Sequence, residues 1–524
     1  MEVSPNDKTT ESSIINNAAS ANENDEERKQ FKLLQQNFIA QFESAFPDKL
    51  APKTVVIIPS LTLDQEILEK IDGINYYEER LLCLLMLLRM PKTQIVYVTS
   101  MPIEPVIVDY YLHLLPGITN YHARRRLTFL SCFDASPRSL TEKILERPRL
   151  MQQITESIRY THLAHIVCFN VTETERKLSV RLQLPIYGCD PDLDYLGNKS
   201  NSRKLFRACN IPVPPGFEDL YSEEEIIKAL VKLKLDNPIL RKAVIKINEG
   251  FSGEGNAIFS YRDAPVDNNL TIWIENHLQD NLHIIAHELT YTVFLQKFTK
   301  YGGIVEAFVE GSIKSSPSVQ CLINPLGKIE VASTHDQLLG GEDGQVFLGA
   351  HFPANEAYAP DLGRMGYCIG EALKNYGVLG RFAVDFISVQ EQGQWRHYAI
   401  EINLRKGGTT HPYLMLQFLT VGEYDPEKAV YYTANQQERF YTFSDNLRSE
   451  RYKGLTPHDL IDIAMCNDLL YDGSTQEGVI FHLISALSQF GKLGVLCIGA
   501  TRERAEFFYK KTVEVLFQEG RHDL

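Results

Sequence analysis

Four short runs of β-branched and aliphatic residues recur in the N-terminal part of the chain: "TVVIIPS" (54–60), "TQIVYVTSMP" (93–102), "RLTFLSCFD" (126–134) and "AHIVCFNVT" (164–172). Helical stretches separate them, and strands alternating with helices predict a parallel α/β sheet of the doubly wound type. No G-x-G-x-x-G follows any of these strands, so a domain over roughly 46–195 is expected without a dinucleotide fingerprint. The apolar run "LLCLLMLLRM" (81–90) is too short to span a bilayer and predicts a helix buried against this sheet.

The pattern changes at "YLGNKSNSRKLFRACNIPVPPGFED" (195–219), where a short basic helix runs into a Pro-rich turn. Beyond it, "KAVIKINEGFSGEGNAIFSY" (242–261) reads as strand, glycine-rich turn, strand, and strand signals continue to about residue 425. In "YAIEINLRKGG" (398–408), Ile400, Ile402 and Leu404 alternate with Glu401, Asn403 and Arg405, so strand periodicity puts an acid, an amide and a guanidinium on one face. The last hundred residues hold a further strand, "FGKLGVLCIGA", and an amphipathic helix, "RERAEFFYKKTVEVLF". The first thirty residues are polar and rich in Asn, Ser and Glu, with no apolar stretch of the kind a secretory signal needs. The expected division is a disordered tail over 1–45, an α/β domain over 46–195, a strand-rich domain over 196–425 and an α/β appendage over 426–524.

A chain of 524 residues suggests two to four domains. The net charge of −14 argues against a nucleic-acid binder while leaving room for a local basic pocket. The nine cysteines are scattered with no C-x-x-C pair, so neither a zinc module nor a disulfide framework is indicated. Buried thiols in a reducing compartment are expected, and with them a soluble, cytoplasmic protein without a membrane association.

Three elements carry candidate chemistry. In "VIKINEGFSGEGNA", Lys246 sits on a strand before a loop containing Gly250, Ser252, Gly253 and Gly255, whose backbone N–H groups can approach an anion closely. The order excludes a Walker A loop, and a protein kinase would need its Lys after the glycines and an H-R-D motif. A plain hairpin reads the same way. In "GIVEAFVEGS" (303–312), Glu306 and Glu310 flank a strand that closes at a glycine. Asp385 of "GRFAVDFI" precedes Glu401 and Asn403 by a hairpin-like interval, which brings two carboxylates and an amide oxygen together, a hard-oxygen set suited to Mg²⁺ and not to zinc. Arg405 can answer phosphate charge in fork geometry, and a simple pairing of Asp385 and Glu401 with basic neighbours is the alternative reading. The histidines of "HIIAH" (283–287) lack H-E-x-x-H order, and "ARRRL" (123–127) reads as a solvated basic patch.

The succession Lys199, Lys246 with its glycine loop, "VEAFVEG", Asp385 and "EINLR" resembles the ATP-grasp superfamily over about 195–425. The segments "NEGFSGEGNA", "STHDQLLGGEDGQVFLGAHFP", "GLTPHDLIDIA" and "GVIFHLISAL" are most similar to the pheganomycin-type peptide ligases. The resemblance implies an α/β chain with a pre-ATP-grasp-like N-terminal domain, an ATP-grasp domain of two α+β subdomains and a small C-terminal appendage. It implies ATP and Mg²⁺. Lys199 and Lys246 would hold the α- and β-phosphates, and the loop of Gly250, Ser252, Gly253 and Gly255 would cover the β/γ-phosphates. Glu306 and the backbone at Phe308 would meet adenine, and Glu310 the ribose. Asp385, Glu401 and Asn403 would gather the metal, while Arg405, with Lys246, would act on the transferring phosphoryl group. "GGTTHP" (407–412) would border the acceptor. The implied reaction is ATP-dependent carboxylate–amine ligation through an acyl phosphate, with small-molecule carboxylate and amine substrates such as amino acids or peptides; the resemblance also allows a homodimer. A thiol acceptor, a small-molecule kinase and a non-catalytic nucleotide sensor are the competing readings.

Overall fold

The computed structural model describes residues 7–249, 255–286, 289–340 and 346–520. The chain divides into two units, residues 1–103 with 111–191, and residues 104–110 with 192–524.

The first unit is built on a four-stranded sheet of β1 (Lys53–Ile58), β2 (Thr93–Thr99), β3 (Leu127–Ser131) and β4 (Ala164–Cys168). Its order is β3-β2-β1-β4 and every pairing is parallel. Strands covered on both faces read as continuous apolar runs, and β1, β4 and nearly all of β2 are buried along their length. The run expected to be a buried helix belongs to a 3₁₀ helix, Ile74–Arg89, in which Leu82, Cys83, Leu85 and Met86 have no exposure. Arg126 of the basic "ARRRL" stretch is no solvated side chain. Its guanidinium donates to the carbonyls of Leu88, Met90 and Thr93 at 2.6–2.9 Å, satisfying acceptors at the end of that helix and the start of β2.

The structure departs from the disordered tail expected over 1–45. Residues Asp7–Ala45 form a helix, and Phe31 and Phe38 are fully buried. Phe38 meets Phe42, Phe46, His165 and Tyr187 edge-on or tilted. Four aromatics at near-helical spacing (31, 38, 42, 46) supply an apolar stripe that the polar residues before them obscure in the sequence.

The second unit holds two large antiparallel sheets. The first comprises β5 (Gly216–Leu220), β6 (Lys242–Ile247), β7 (Asn256–Ser260), β8 (Leu282–Ile284) and β9 (Gly303–Ala307), in the order β5-β9-β6-β7-β8. The second has nine strands. Its central path runs β10 (Lys314–Ser315), β14 (Gly380–Glu391), β11 (Pro317–Ile323), β12 (Ile329–Gly340), β13 (Val346–Phe352), β18 (Phe440–Arg448), β20 (Lys492–Gly499), β19 (Gly478–His482), and β15 (Gln394–Asn403) pairs with β14. A small ribbon, β16 (Glu423–Asp425) with β17 (Val430–Tyr432), completes the strands. The C-terminal hundred residues are continuous with this sheet, because β18 pairs with β13 through Ala350↔Phe443 and its neighbours. Among the described residues, no helix is long and apolar enough to cross a membrane.

Candidate active site

The helix Lys199–Ala208 starts at Asn198, whose side chain accepts from the Asn201 N–H, and it buries Lys199, Ser200, Ser202, Arg203, Leu205 and Phe206. Its first turn is tied to both sheets of the second unit. The N–H and Oγ of Ser200 donate to Asn248 Oδ1 at 3.0 and 2.7 Å, just past the end of β6. Ser202 Oγ accepts from the Ile402 N–H on β15 at 3.3 Å. The helix therefore carries its lysine to where the two sheets present their polar residues.

Lys199 Nζ lies 3.0 Å from Glu401 Oε1, and the lysine side chain is almost wholly buried. On β6, Lys246 Nζ is 2.6 Å from Glu306 Oε1 on the neighbouring β9, and Arg203 Nη1 takes the other oxygen, Glu306 Oε2, at 2.5 Å. Arg203 has no exposure; it also pairs with Glu218 at 3.4 Å and donates to the Pro214 carbonyl at 2.8 Å. The Glu306 carboxylate is thus committed to two cations beneath the sheet.

Asp385 and Glu401 face each other as cross-strand partners on β14 and β15, with a bulge immediately after Asp385. Asp385 accepts from Gln337 Nε2 at 2.7 Å and from Asn403 Nδ2 at 3.1 Å. Burial, then the charge of Glu401, pushes the Asp385 carboxyl up to about 6, against the pull of Gln337, Arg405 and Lys199. Burial acts the same way on Glu401, but Lys199, Lys246 and Arg405 outweigh it and hold that carboxyl below its ordinary range. Two carboxylates converging on one half-buried spot, with Asn403 alongside, are the donor chemistry of a hard divalent cation, and magnesium commonly takes one or two protein carboxylates and fills its shell from substrate oxygens. Among the described residues, no group of three or more His, Cys, Asp and Glu gathers into a fuller cage. β15 ends at Asn403, so Arg405 lies in the bend beyond the strand rather than on its face. Its charge still reaches Asp385, Glu401 and Asp194. In the same bend, the Gly407 N–H donates to Thr410 Oγ1 at 3.0 Å.

The residues after β9 open a cavity of about 620 Å³ lined by Arg241, Phe308, Val309, Glu310, Ser312 and Lys314, among others. The Phe308 ring has Lys314 Nζ 4.7 Å and Lys242 Nζ 5.7 Å from its centroid, and Arg241 Nε donates to Glu310 at 2.9 Å. Burial lowers the Lys314 ammonium, with nearby Lys246 adding to the effect. An aromatic face, a carboxylate and several cations are what a base, a sugar hydroxyl and phosphates call for.

Of the residues the sequence singles out, Lys199, Lys246, Asp385, Glu401, Asn403 and Arg405 share one electrostatic neighbourhood, and Phe308 and Glu310 line the cavity. Gly250, Ser252 and Gly253 lie outside the described residues. Gly255, whose carbonyl accepts from the Ile247 N–H at 2.9 Å, closes the hairpin of β6 and β7. His283 is an exposed side chain on β8, and His287 lies outside the described residues. The sequence reading missed Arg203, Gln337, Asn248 and Lys314. Asn248 stands inside the quoted glycine-loop motif and was the most findable of them; the other three become visible only through their contacts.

Two sheets flanking buried lysines, with carboxylates and an amide at a hairpin, make up a mixed α/β domain. The chain belongs to the ATP-grasp superfamily: residues 193–284 and 264–427 match the family model described as IQCH-like, ATP-grasp, and residues 459–512 match the PGM1 C-terminal domain. It is 28% identical over 472 residues to the L-propargylglycine–L-glutamate ligase of Streptantibioticus cattleyicolor, covering 88% of this chain and 94% of that protein. It is 21% identical over 519 residues to IQ motif-containing protein H of Danio rerio, covering 90% of this chain and about half, 49%, of that longer protein. Among solved structures, the biotin carboxylase domain of the Hydrogenobacter thermophilus 2-oxoglutarate carboxylase, determined with MgADP, superposes with a TM-score of 0.51 at 12% identity, over 88% of this chain and 89% of that one. That likeness establishes the shared fold.

Proposed function

We propose that the protein is an ATP-dependent carboxylate–amine ligase that forms an amide, in the manner of a peptide bond, through an acyl phosphate, releasing ADP and phosphate. The observation that carries this reading is the meeting of Lys199, Lys246 and Arg405 with Asp385, Glu401 and Asn403, cations for phosphates beside hard oxygens for magnesium. A binding module has no need of both. The name of the bacterial relative, an amino-acid ligase, supports amino acids or peptides as the substrate class.

A carboxylate is a poor acylating agent, so its oxygen would first attack the γ-phosphorus of ATP. Catalysis of such a transfer is mostly positioning and charge neutralisation. Lys199 and Lys246 would hold the α- and β-phosphates, and Arg405 would meet the charge that develops on the group in transit. The cavity at Phe308 and Glu310 would take adenine and ribose. Asp385, Glu401 and Asn403 would hold magnesium, which when bound neutralises phosphate charge. With its carboxylate held by Lys246 and Arg203, Glu306 would serve the nucleotide by orienting Lys246. Residues 407–412 would border the acceptor, and the amine would then displace phosphate from the activated carbonyl.

The test is ATP consumption with magnesium and pools of amino acids and dipeptides, with and without hydroxylamine, read by mass spectrometry. ADP, phosphate and a hydroxamate or new amide, absent in Glu401→Ala, are the expected result. A phosphorylated product with no amide would establish a kinase instead, a thioester a thiol ligase, and tight ATP binding without turnover in any pool a nucleotide sensor.

A further inference from the structure

Six of the nine cysteines are buried; Cys209 is half-buried, and Cys368 and Cys466 are exposed. Two of the three accessible ones meet. Cys209 caps the end of the Lys199–Ala208 helix, and Cys368 lies on the helix Ala359–Asn375. Each thiol donates to the other residue's main-chain carbonyl oxygen at 3.9 Å, a reciprocal arrangement that brings the two side chains together. A disulfide needs Cα atoms within about 7 Å and side chains that point together, and reciprocal sulfur–carbonyl contact places the two cysteines side by side as that bond requires.

We propose that Cys209 and Cys368 form a redox modification site, a surface dithiol that a low-molecular-weight disulfide such as oxidised glutathione converts to an intramolecular disulfide tying the two helices together. Cys368, the exposed thiol, is the entry point. Its thiolate attacks one sulfur of oxidised glutathione, breaking that S–S bond and expelling one glutathione thiolate. The Cys209 thiolate then attacks Cys368 Sγ, forming the Cys209–Cys368 bond and expelling the second. The two protons lost by the cysteines end on the two glutathiones, and two electrons pass from the protein to the oxidant. Burial, and then the neighbouring Cys368 thiol, pushes the Cys209 thiol up to about 11, which suits it to the second, intramolecular attack rather than the first.

The consequence lies at the other end of the helix. Its first turn carries Lys199 to Glu401 and is tied to Asn248 and Ile402, while the 359–375 helix buries Gly366 against Val319 and Cys321 of β11. A covalent link at Cys209 removes freedom from the segment that presents Lys199. This inference does not depend on the chemistry proposed for the site.

The experiment treats the full chain with oxidised glutathione, blocks free thiols with iodoacetamide and maps peptides by mass spectrometry, with hydrogen exchange followed in parallel. The expected product is a Cys209–Cys368 peptide pair lighter by two hydrogen atoms and lost on adding dithiothreitol, with exchange across 199–208 slowed several-fold in the oxidised form. Cys209→Ser should stop at a glutathione adduct on Cys368. Alkylation of both cysteines in the treated wild-type chain, or a glutathione adduct on Cys368 that persists there with Cys209 alkylated, would overturn the disulfide. Exchange unchanged by the cross-link would overturn its effect on the helix, and an unmodified Cys368 in the Cys209→Ser chain would overturn the order of attack.

Discussion

Arg203 shows how much of the site rests on a residue that touches no expected ligand. Its guanidinium is fully buried and answers two carboxylates, Glu306 and Glu218, the first of which also holds Lys246. Removing Arg203 leaves Glu306 to Lys246 alone and Glu218 to Arg207, so the cost is about 3 kcal/mol, the low end for a broken buried ion pair. Arg203→Met should lower the stability of the second unit by about that amount in urea unfolding. Lys204→Ala, which removes a surface pair with Asp219 between two half-exposed side chains, should cost no more than about 1 kcal/mol. Equal losses would show that the Arg203 cluster carries no special weight. Glu401 is the complementary case. Glu401→Gln keeps the shape but deprives buried Lys199 of its counter-charge and the expected metal of a ligand, and ATP turnover should fall about 100-fold or more; a change under tenfold would remove Glu401 from the chemistry. Strand period and spacing made Lys246, Asp385, Glu401 and Asn403 legible, whereas Lys199, on a helix, was legible only through the resemblance to the ATP-grasp superfamily. Arg203 was illegible for a physical reason: "SRKLFRA" offers three cations in one short helix, and only the packing distinguishes the buried Arg203 from the exposed Lys204 and Arg207.

At the scale of elements, the Lys199–Ala208 helix acts as a joint between the two sheets of the second unit. Beside the ion pairs of Lys199 and Arg203, Ser200 bonds to Asn248 on one side and Ser202 to the Ile402 N–H on the other. Ser200→Ala removes the shorter of the two bonds to Asn248 and the bond the hydroxyl accepts from the Asp219 N–H at 3.1 Å, while keeping the backbone one. A net cost of about 1 kcal/mol is expected, together with faster hydrogen exchange in the first turn and a several-fold higher KM for ATP at nearly unchanged kcat. An unchanged KM would mean that the Ser200 hydroxyl has no part in positioning Lys199. Elements were otherwise legible in proportion to how local their cause is. The four parallel strands follow from apolar runs, and the β14–β15 hairpin from the spacing of Asp385 and Glu401. Two features have non-local causes and were missed. The N-terminal helix is fixed by Phe31 and Phe38 packing into a core that includes His165 and Tyr187, more than a hundred residues away. The bend that takes Arg405 off the strand begins where β15 leaves β14 after Asn403↔Ala383, while β14 itself runs on to Gly380 beside β11.

At the scale of the whole molecule, each unit carries a buried titratable group, and acid acts on them in opposite directions. In the first unit, Glu78 accepts from the Ser100 N–H and Oγ at 2.6 Å, with Lys143 Nζ on the same hydroxyl at 2.9 Å. Burial outweighs these partners and pushes its carboxyl up to about 7, from 4.5 in an open chain. Between those values the folded form binds more protons than the unfolded one, so this contribution is full below 4.5 and is lost as pH rises through 7. In the second unit, His335 has no exposure, and its Nε2 lies 2.6 Å from the Tyr441 hydroxyl. Burial lowers the imidazole to about 3 from 6.5. There the unfolded chain binds the extra proton, so stability is full above 6.5 and is lost as pH falls toward 3. Acidification from 6.5 to 4.5 should therefore favour the first unit through Glu78 and disfavour the second through His335. Hydrogen exchange across that interval, read separately for β1–β4 and for β11–β14, measures each trend. Glu78→Gln should flatten the first and leave the second, and His335→Gln the reverse. Trends of the same sign in both units, or slopes that survive these substitutions, would mean that other carboxylates and histidines govern the response and that the two buried groups are spectators.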